Sequence, residues 1–288
     1  MQQAKILKQL LIKNKLLIAP GVYDALTARI AQFCNFPAMY MSGYATAASY
    51  GYPDYGIVTM SEMLENIRRI TEAVDIPLIA DGDTGYGNAI NAYRTFKEYE
   101  KAGAASIQFE DQAWPKRCGH MEGKQVIEAN EMVDKIKAAL DARINQDTLL
   151  VVRTDAIATH GFEEAIHRGE LYAEAGADII FIEAPNAKQV DKIPKLISIP
   201  CLLNMALPNQ NLKNEAIKKM GYALVIYPAI TLLGTIGGCV QMMKQLEENG
   251  NMVPPSEFNF DFAQLNNFLG LEKYRDLEKK YSDGNTKF

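Results

Sequence analysis

The chain has 288 residues, 48% of them hydrophobic and 23% charged, with a formal net charge of -5. An acidic balance excludes the basic face expected of a nucleic-acid binder. No stretch approaches the ~18 uninterrupted apolar residues of a membrane span, so no membrane partner is expected. The opening segment, MQQAKILKQLLIKNKLLIAPGVYD, is amphipathic and broken by lysines. It lacks the apolar core and small-residue cleavage site of a secretory signal, and a cytoplasmic location is expected.

Short apolar, β-favouring runs then recur along the chain: LLIAPG (16–21), AMYMSG (38–43), PLIADGD (77–83), SIQFED (106–111), LLVVRTD (149–155), IIFIEAP (179–185), CLLNM (201–205) and YALVIYP (222–228). Each reads as a parallel strand buried on both faces. Helical patterns lie between them, as in MSEMLENIRRITEAV (60–74), NAYRTFKEYEKAG (91–103) and NEMVDKIKAALDA (130–142). Several helices end on glycine, in KAGAA, EAGAD and KMGYA. Eightfold alternation of strand and helix predicts an α/β fold, a (β/α)8 barrel of the TIM type. PGVYDAL after the first strand is not the glycine-rich turn of a doubly wound dinucleotide fold. From Pro254 the pattern changes to a proline break followed by aromatic-rich helices. The expected organisation is a barrel over 1–253 and a C-terminal helical extension over 254–288 that packs on a neighbouring subunit or on the barrel's outside.

Barrel enzymes gather their chemistry at the carboxyl ends of the strands. The polar residues here fall there: Ser42, Asp81, Asp83, Glu110, Asp111, Arg153, Asp155, Glu183 and Asn204. Asp81 and Asp83, spaced i, i+2, share a face if both are in the strand. With Glu110 from the next strand they form an oxygen-rich set suited to Mg²⁺ or Mn²⁺. The competing reading is a DGDTGYG turn whose aspartates bind local amides.

The segment EDQAWPKRCGH (110–120) runs from the fourth strand over the barrel mouth. Cys118 stands there among Lys116, Arg117, Gly119 and His120, a setting that suits a nucleophile or an acid/base thiol. Cys34, Cys201 and Cys239 read as packing residues. Arg153 is suited either to grip a substrate carboxylate or to pair with Asp155 or Glu183. Tyr40 either hydrogen-bonds a reacting oxygen or is a core aromatic. Trp114 reads as an anchor of the loop, and His160 and His167 as helix-surface residues.

These pieces together resemble the isocitrate lyase and phosphoenolpyruvate mutase superfamily. The resemblance rests on PGVYDALTARI, MSGYATAASYGYPDYG, DGDTGYGN, EDQAWPKRCGHMEGK, VRTDA and IEAP. KRCGH looks like the signature of the lyase branch, in particular the 2-methylisocitrate and 2,3-dimethylmalate lyases. The resemblance implies a helix-swapped barrel in a homotetramer built as a dimer of dimers. It implies Mg²⁺-dependent cleavage of a 2-hydroxy di- or tricarboxylate to an α-keto acid such as pyruvate and a second carboxylic acid. By position, Asp81 and Asp83 hold the metal, with Glu110 acting through water. Cys118 protonates the departing carbanion, Tyr40 with Arg153 or the metal-bound water shell helps remove the hydroxyl proton, and Lys116 and His120 assist. Substrate contacts are expected from Ser42, Gly43, Tyr44, Asp81, Gly119, Arg153, Glu183 and Asn204.

The chain departs from its relatives after the seventh strand. NMALPNQNLKN (204–214) lacks their acid and glycine pair, and Tyr44 replaces the second glycine after Ser42. A dicarboxylate is therefore expected to be used at least as well as a tricarboxylate. Oxaloacetate hydrolysis or decarboxylation on the same scaffold, and a non-catalytic dicarboxylate binder, are the alternatives.

Overall fold

A computed structural model describes residues 2–119, 121–206, 211–251 and 260–282. The strands are β1 (Leu17–Val22), β2 (Met39–Met41), β3 (Leu78–Asp81), β4 (Ser106–Glu110), β5 (Leu149–Thr154), β6 (Ile179–Ile182), β7 (Cys201–Asn204) and β8 (Leu224–Tyr227). They pair in parallel in sequence order, and β1 closes on β8, so the sheet is the expected closed (β/α)8 barrel. The larger helices between strands are α2 (Ala25–Phe33), α4 (Met60–Ala73), α5 (Ala89–Lys101), α6 (Ala129–Ala142) and α8 (Phe162–Glu174). Their starts are written locally. Asp24, Thr59 and Asn88 each cap a helix in a reciprocal capping box. The predicted glycine stops hold too, with Gly103, Gly176 and Gly221 in left-handed backbone that other residues adopt at a cost.

Side-chain parity along the strands builds both core and site. One set of alternate residues packs outward under the helices, including Met39, Met41, Ala80, Ile107, Phe109, Val152, Ile180 and Leu203. The other set fills the barrel, including Ala19, Tyr40, Ile79, Val151, Phe181, Leu202 and Ile226. Helix α1 (Gln2–Lys13), whose amphipathic sequence precedes the first strand, adds Ala4 and Leu7 to this inner cluster. A strand's period of two then carries the inner face onward to polar residues. Ile79 is followed by Asp81, Val151 by Arg153, Phe181 by Glu183 and Leu202 by Asn204. Burial of the apolar inner layer thus fixes the register that aims these groups into the mouth.

The chain divides into two compact units, residues 1–232 and 233–288. The division falls within α11 (Ile230–Asn249), and the second unit also contains α12 (Phe262–Phe268) and α13 (Leu271–Tyr281). Among the described residues, no helix is long and apolar enough to cross a membrane.

Candidate active site

The β3 strand ends at Asp81, two residues earlier than the alternation argument for Asp81 and Asp83 requires. Asp83 instead takes a left-handed backbone, φ 47°. Aspartate tolerates that conformation better than most residues. The turn brings the two carboxylates together by another route. A Cβ built on Gly43 would stand 2.8 Å from Asp81 Oδ2 and 3.3 Å from Asp83 Oδ1, so only glycine fits beside the pair.

Asp81 is held on three sides. Its Oδ2 accepts from Gly43 N at 3.1 Å. Its Oδ1 accepts from Asp83 N at 3.1 Å and from Gln108 Nε2 at 3.3 Å. Gln108, two residues before Glu110 and on the same face, accepts the Tyr40 hydroxyl at 3.3 Å. The local-amide reading of DGDTGYG is thus realised at Asp81, which binds the Asp83 amide. Ser42 is buried and its Oγ accepts from Ala45 N at 3.2 Å, capping the short helix α3 (Gly43–Ser49). Tyr44 is exposed.

Lys116 is buried in this acidic group. Its Nζ lies 2.5 Å from Asp54 and 2.7 Å from Asp83 Oδ1. The second contact is a charge pair without hydrogen-bond geometry, because Asp83 Oδ1 has no hydrogen-bond partner among the described residues. Arg117 lies over the Tyr55 ring, 5.1 Å from its centre, and donates to Glu122 O at 3.0 Å. The expected cationic surroundings of Cys118 are thus committed to other partners. Cys118 itself is half-buried, its N donating to Asp54 O at 3.1 Å. His120 lies outside the described residues. Of the other thiols only Cys201 is buried; Cys34 and Cys239 are exposed, contrary to the packing role expected for them.

Arg153 realises its pairing reading. Its Nε and Nη2 clasp both oxygens of Asp155 at 2.7 and 2.9 Å. Glu110 Oε2 lies 3.4 Å from Nε, Glu183 Oε2 3.9 Å from Nη1, and the Phe181 ring 5.2 Å below. Glu183 also receives the Asn204 amide at 3.3 and 3.4 Å, which leaves the buried Asn204 Oδ1 without a partner among the described residues. The loop from Gln112 to Val126 sits down on this group. A Cβ on Gly119 would meet Arg153 and, at 2.6 Å, Glu183 Oε1. Lys124 donates to Gly119 O and, at 3.0 Å, to Asp155. Gln112 braces the loop from inside, donating to Glu110 at 2.9 Å and to Arg117 O at 2.9 Å. Trp114 stacks edge-on to Tyr86 as the expected anchor.

Electrostatics show what the mouth lacks. Six carboxylates at the mouth, Asp54, Asp81, Asp83, Glu110, Asp155 and Glu183, are buried around Lys116, Lys124 and Arg153. Burial pushes Asp83 up to about 7 despite Lys116. Burial likewise holds Glu110 well above the carboxylate range. Burial also raises Asp155, but Arg153 and Lys124 outweigh it and hold that group low. Buried Tyr40, facing Asp81, keeps its proton far above the ordinary phenol range. Here it is a hydrogen-bond donor, to Gln108.

A divalent cation would supply the missing charge in place of those protons. Among the described residues no three acidic, cysteine or histidine side chains gather tightly enough to cage a metal alone. The set Asp81, Asp83 and Glu110 does not close, because Glu110 is engaged by Gln112 and Arg153. The buried pair Asp81 and Asp83, with Lys116 as a charge partner 2.7 Å from Asp83 Oδ1, fits an ion that keeps several waters, as Mg²⁺ does. Asp54, Gln108, Gln112 and Lys124 were not singled out in the sequence. No motif marks a buried loop charge, and only the fold reveals these.

A family model for phosphoenolpyruvate phosphomutase matches residues 7–247. The chain belongs to the phosphoenolpyruvate mutase and isocitrate lyase superfamily of enzymes. It is 42% identical over 288 residues to a 2,3-dimethylmalate lyase of Eubacterium barkeri, covering 99% of this chain and 100% of that one. A solved oxaloacetate acetylhydrolase in complex with 3,3-difluorooxalacetate matches with a TM-score of 0.92 at 32% identity, covering 99% and 98% of the two chains. A phosphonopyruvate hydrolase solved with oxalate and Mg²⁺ matches with a TM-score of 0.89 at 30% identity, covering 98% and 99%.

Proposed function

We propose that the protein is a Mg²⁺-dependent carbon–carbon lyase of 2-hydroxy dicarboxylates, with 2,3-dimethylmalate as the favoured type of substrate. Its products are then pyruvate and propionate. The observation that carries this reading is the Cys118 loop seated over a mouth with uncompensated buried carboxylates. Such a mouth calls for a divalent cation, and a retro-aldol cleavage calls for an acid nearby. Asp81 and Asp83, with Glu110, would hold Mg²⁺, which would supply Lewis-acid stabilisation of a 2-hydroxy carboxylate.

The chain's own groups divide the remaining work. Arg153, whose Nε and Nη2 are fixed on Asp155, offers its Nη1 side to the carboxylate end of the substrate, with Ser42 and Gly43. Tyr40 exchanges its hydrogen bond to Gln108 for one to the oxygen that gains charge. Glu110, whose burial raises its proton affinity, takes the hydroxyl proton. The C2–C3 bond then breaks with its electron pair on C3, and the Cys118 thiol delivers a proton there. The seated loop excludes water from that carbanion. Lys116 ties the loop to Asp83, so loop closure and the acidic pair are joined by one charge. Tyr44, Gly119, Glu183 and Asn204 line the rest of the substrate's surroundings. Hydrolysis of oxaloacetate is the second reading, favoured by the likeness to oxaloacetate acetylhydrolase. Keto-acid release from 2,3-dimethylmalate with Mg²⁺ separates the two.

The same reading includes a homotetramer. Leu233, Ile236, Val240 and Met243 are exposed along α11, as are Phe262 and Leu265 on α12, Leu269 just past its end and Leu277 on α13. Exposed apolar stripes of this kind mark interaction surfaces. Sedimentation at micromolar concentration is expected to give a tetramer. Substituting Ile236 and Val240 with aspartate should yield smaller species, and a parent chain that sediments as a monomer would contradict the assembly.

A further inference from the structure

The loop that carries Cys118 leaves the barrel at Asp111 and returns at Ile127. It is a narrow ribbon, with a bridge between Gln112 and Val126 and Ala113 N donating to Gln125 O at 2.8 Å. Both ends meet one side chain from the outer helix layer. Arg168, buried on α8, donates through Nη1 to Asp111 Oδ2 at 3.2 Å and to Ile127 O at 2.8 Å. Its Nε pairs with Glu164 at 2.8 Å, one helical turn earlier.

Asp111 passes this constraint inward. Its Oδ2 also accepts from Thr154 Oγ1 at 2.7 Å and the Tyr172 hydroxyl at 2.9 Å. Its Oδ1 accepts from the backbone N of Asp155 at 2.9 Å. Asp155 is the residue that clasps Arg153 and holds Lys124. A fully satisfied chain of buried charges therefore runs from helix α8 to both the loop and the arginine of the mouth. In such a network, loss of one member leaves the others unpaired in a low-dielectric interior.

We propose that Arg168 is a positioning residue of the active site, fastening the two ends of the Cys118 loop together and, through Asp111, aligning the Asp155–Arg153 pair without touching substrate. The catalytic part of this proposal rests on the lyase reading; the mechanical part does not.

The test is Arg168→Met, with Arg168→Lys beside it, read by peptide-resolved hydrogen exchange and by alkylation of Cys118 against the exposed Cys34 of the same molecule. In Arg168→Met, amides of 112–127 should exchange at least ~10-fold faster and Cys118 should alkylate correspondingly faster, the effect of one lost charged hydrogen bond. Exchange in β1–β3 and β6–β8 should stay at the parent level. Arg168→Lys, keeping one donor for the two acceptors, should fall between. With an active parent, kcat should fall in the same order while KM for the hydroxy acid changes less. Unchanged loop exchange in Arg168→Met overturns the proposal, and so does loosening spread evenly over the barrel. If Arg168→Met does not fold, Tyr172→Phe decides. It removes one bond to Asp111 and should speed loop exchange alone; an unchanged loop there overturns the proposal. A loosened loop in a protein with no activity on any hydroxy acid upholds the anchor and refutes the lyase reading.

Discussion

Cys118→Ser is expected to lower the cleavage rate by ~100-fold or more, the loss typical of removing a general acid. Serine keeps nearly the same size, but its proton is held far more tightly than that of a thiol with an ordinary pKa of ~8.5. The loop should survive the change, because its seat is made by other groups: Lys116 on Asp54 and Asp83, Lys124 on Asp155, and Gln112 within. Binding of an oxalate-like inhibitor with Mg²⁺ should therefore change little, which calorimetry can check beside the rate. Lys116 and Arg117 are spent on carboxylates and on Tyr55, so these neighbours do not contradict a proton donor in the loop. A serine variant that cleaves at the parent rate would remove the thiol from the mechanism. One that also loses inhibitor binding would show the cysteine to be a structural part of the loop.

Asp83→Asn should abolish the metal requirement together with most of the activity. Loss of Lewis-acid stabilisation worth several kcal/mol corresponds to ~10³-fold in rate. Asparagine suits the left-handed backbone at this position, so the turn itself should hold. The pH dependence follows from burial, which pushes Asp83 up to about 7. Metal needs the ionised form, so the Mg²⁺ half-saturation of the parent should rise about tenfold per pH unit below that value. This dependence should disappear in Asp83→Asn. The stability effect has the opposite direction. A carboxylate with a raised pKa in the folded state contributes stability at low pH and loses it as pH rises through about 7. In chelator at pH above 7, Asp83→Asn should therefore melt higher than the parent, and Mg²⁺ should close that gap. An equal or lower melting temperature for the variant under those conditions would contradict the electrostatic account.

The barrel was legible in the sequence because apolar runs, helical patterns and glycine stops are local signals that agreed with one another. The mouth residues on strands were legible for the same reason: parity carries Ile79 to Asp81 and Val151 to Arg153. Asp83 came to the site by a route that alternation does not foresee, since its placement depends on a left-handed turn beyond the strand end. In the sequence Lys116 reads as part of the cationic setting of Cys118, and Lys124 as an ordinary loop charge. Only tertiary closure shows one buried between Asp54 and Asp83 and the other against Asp155. Arg168 looked like an ordinary helix charge with an i, i+4 partner in Glu164. Its second and third contacts, to Asp111 and Ile127, come from segments 57 and 41 residues away. Long-range charge networks of this kind leave no periodicity to read.

The most direct test of the account is to follow α-keto acid release by the purified protein with Mg²⁺ from 2,3-dimethylmalate and 2-methylisocitrate, and oxalate release from oxaloacetate, in parallel. Cleavage of 2,3-dimethylmalate to pyruvate and propionate, lost in chelator and at least as efficient as cleavage of 2-methylisocitrate, is the expected result. Hydrolysis of oxaloacetate with neither hydroxy acid cleaved, or turnover that persists in chelator, would contradict it.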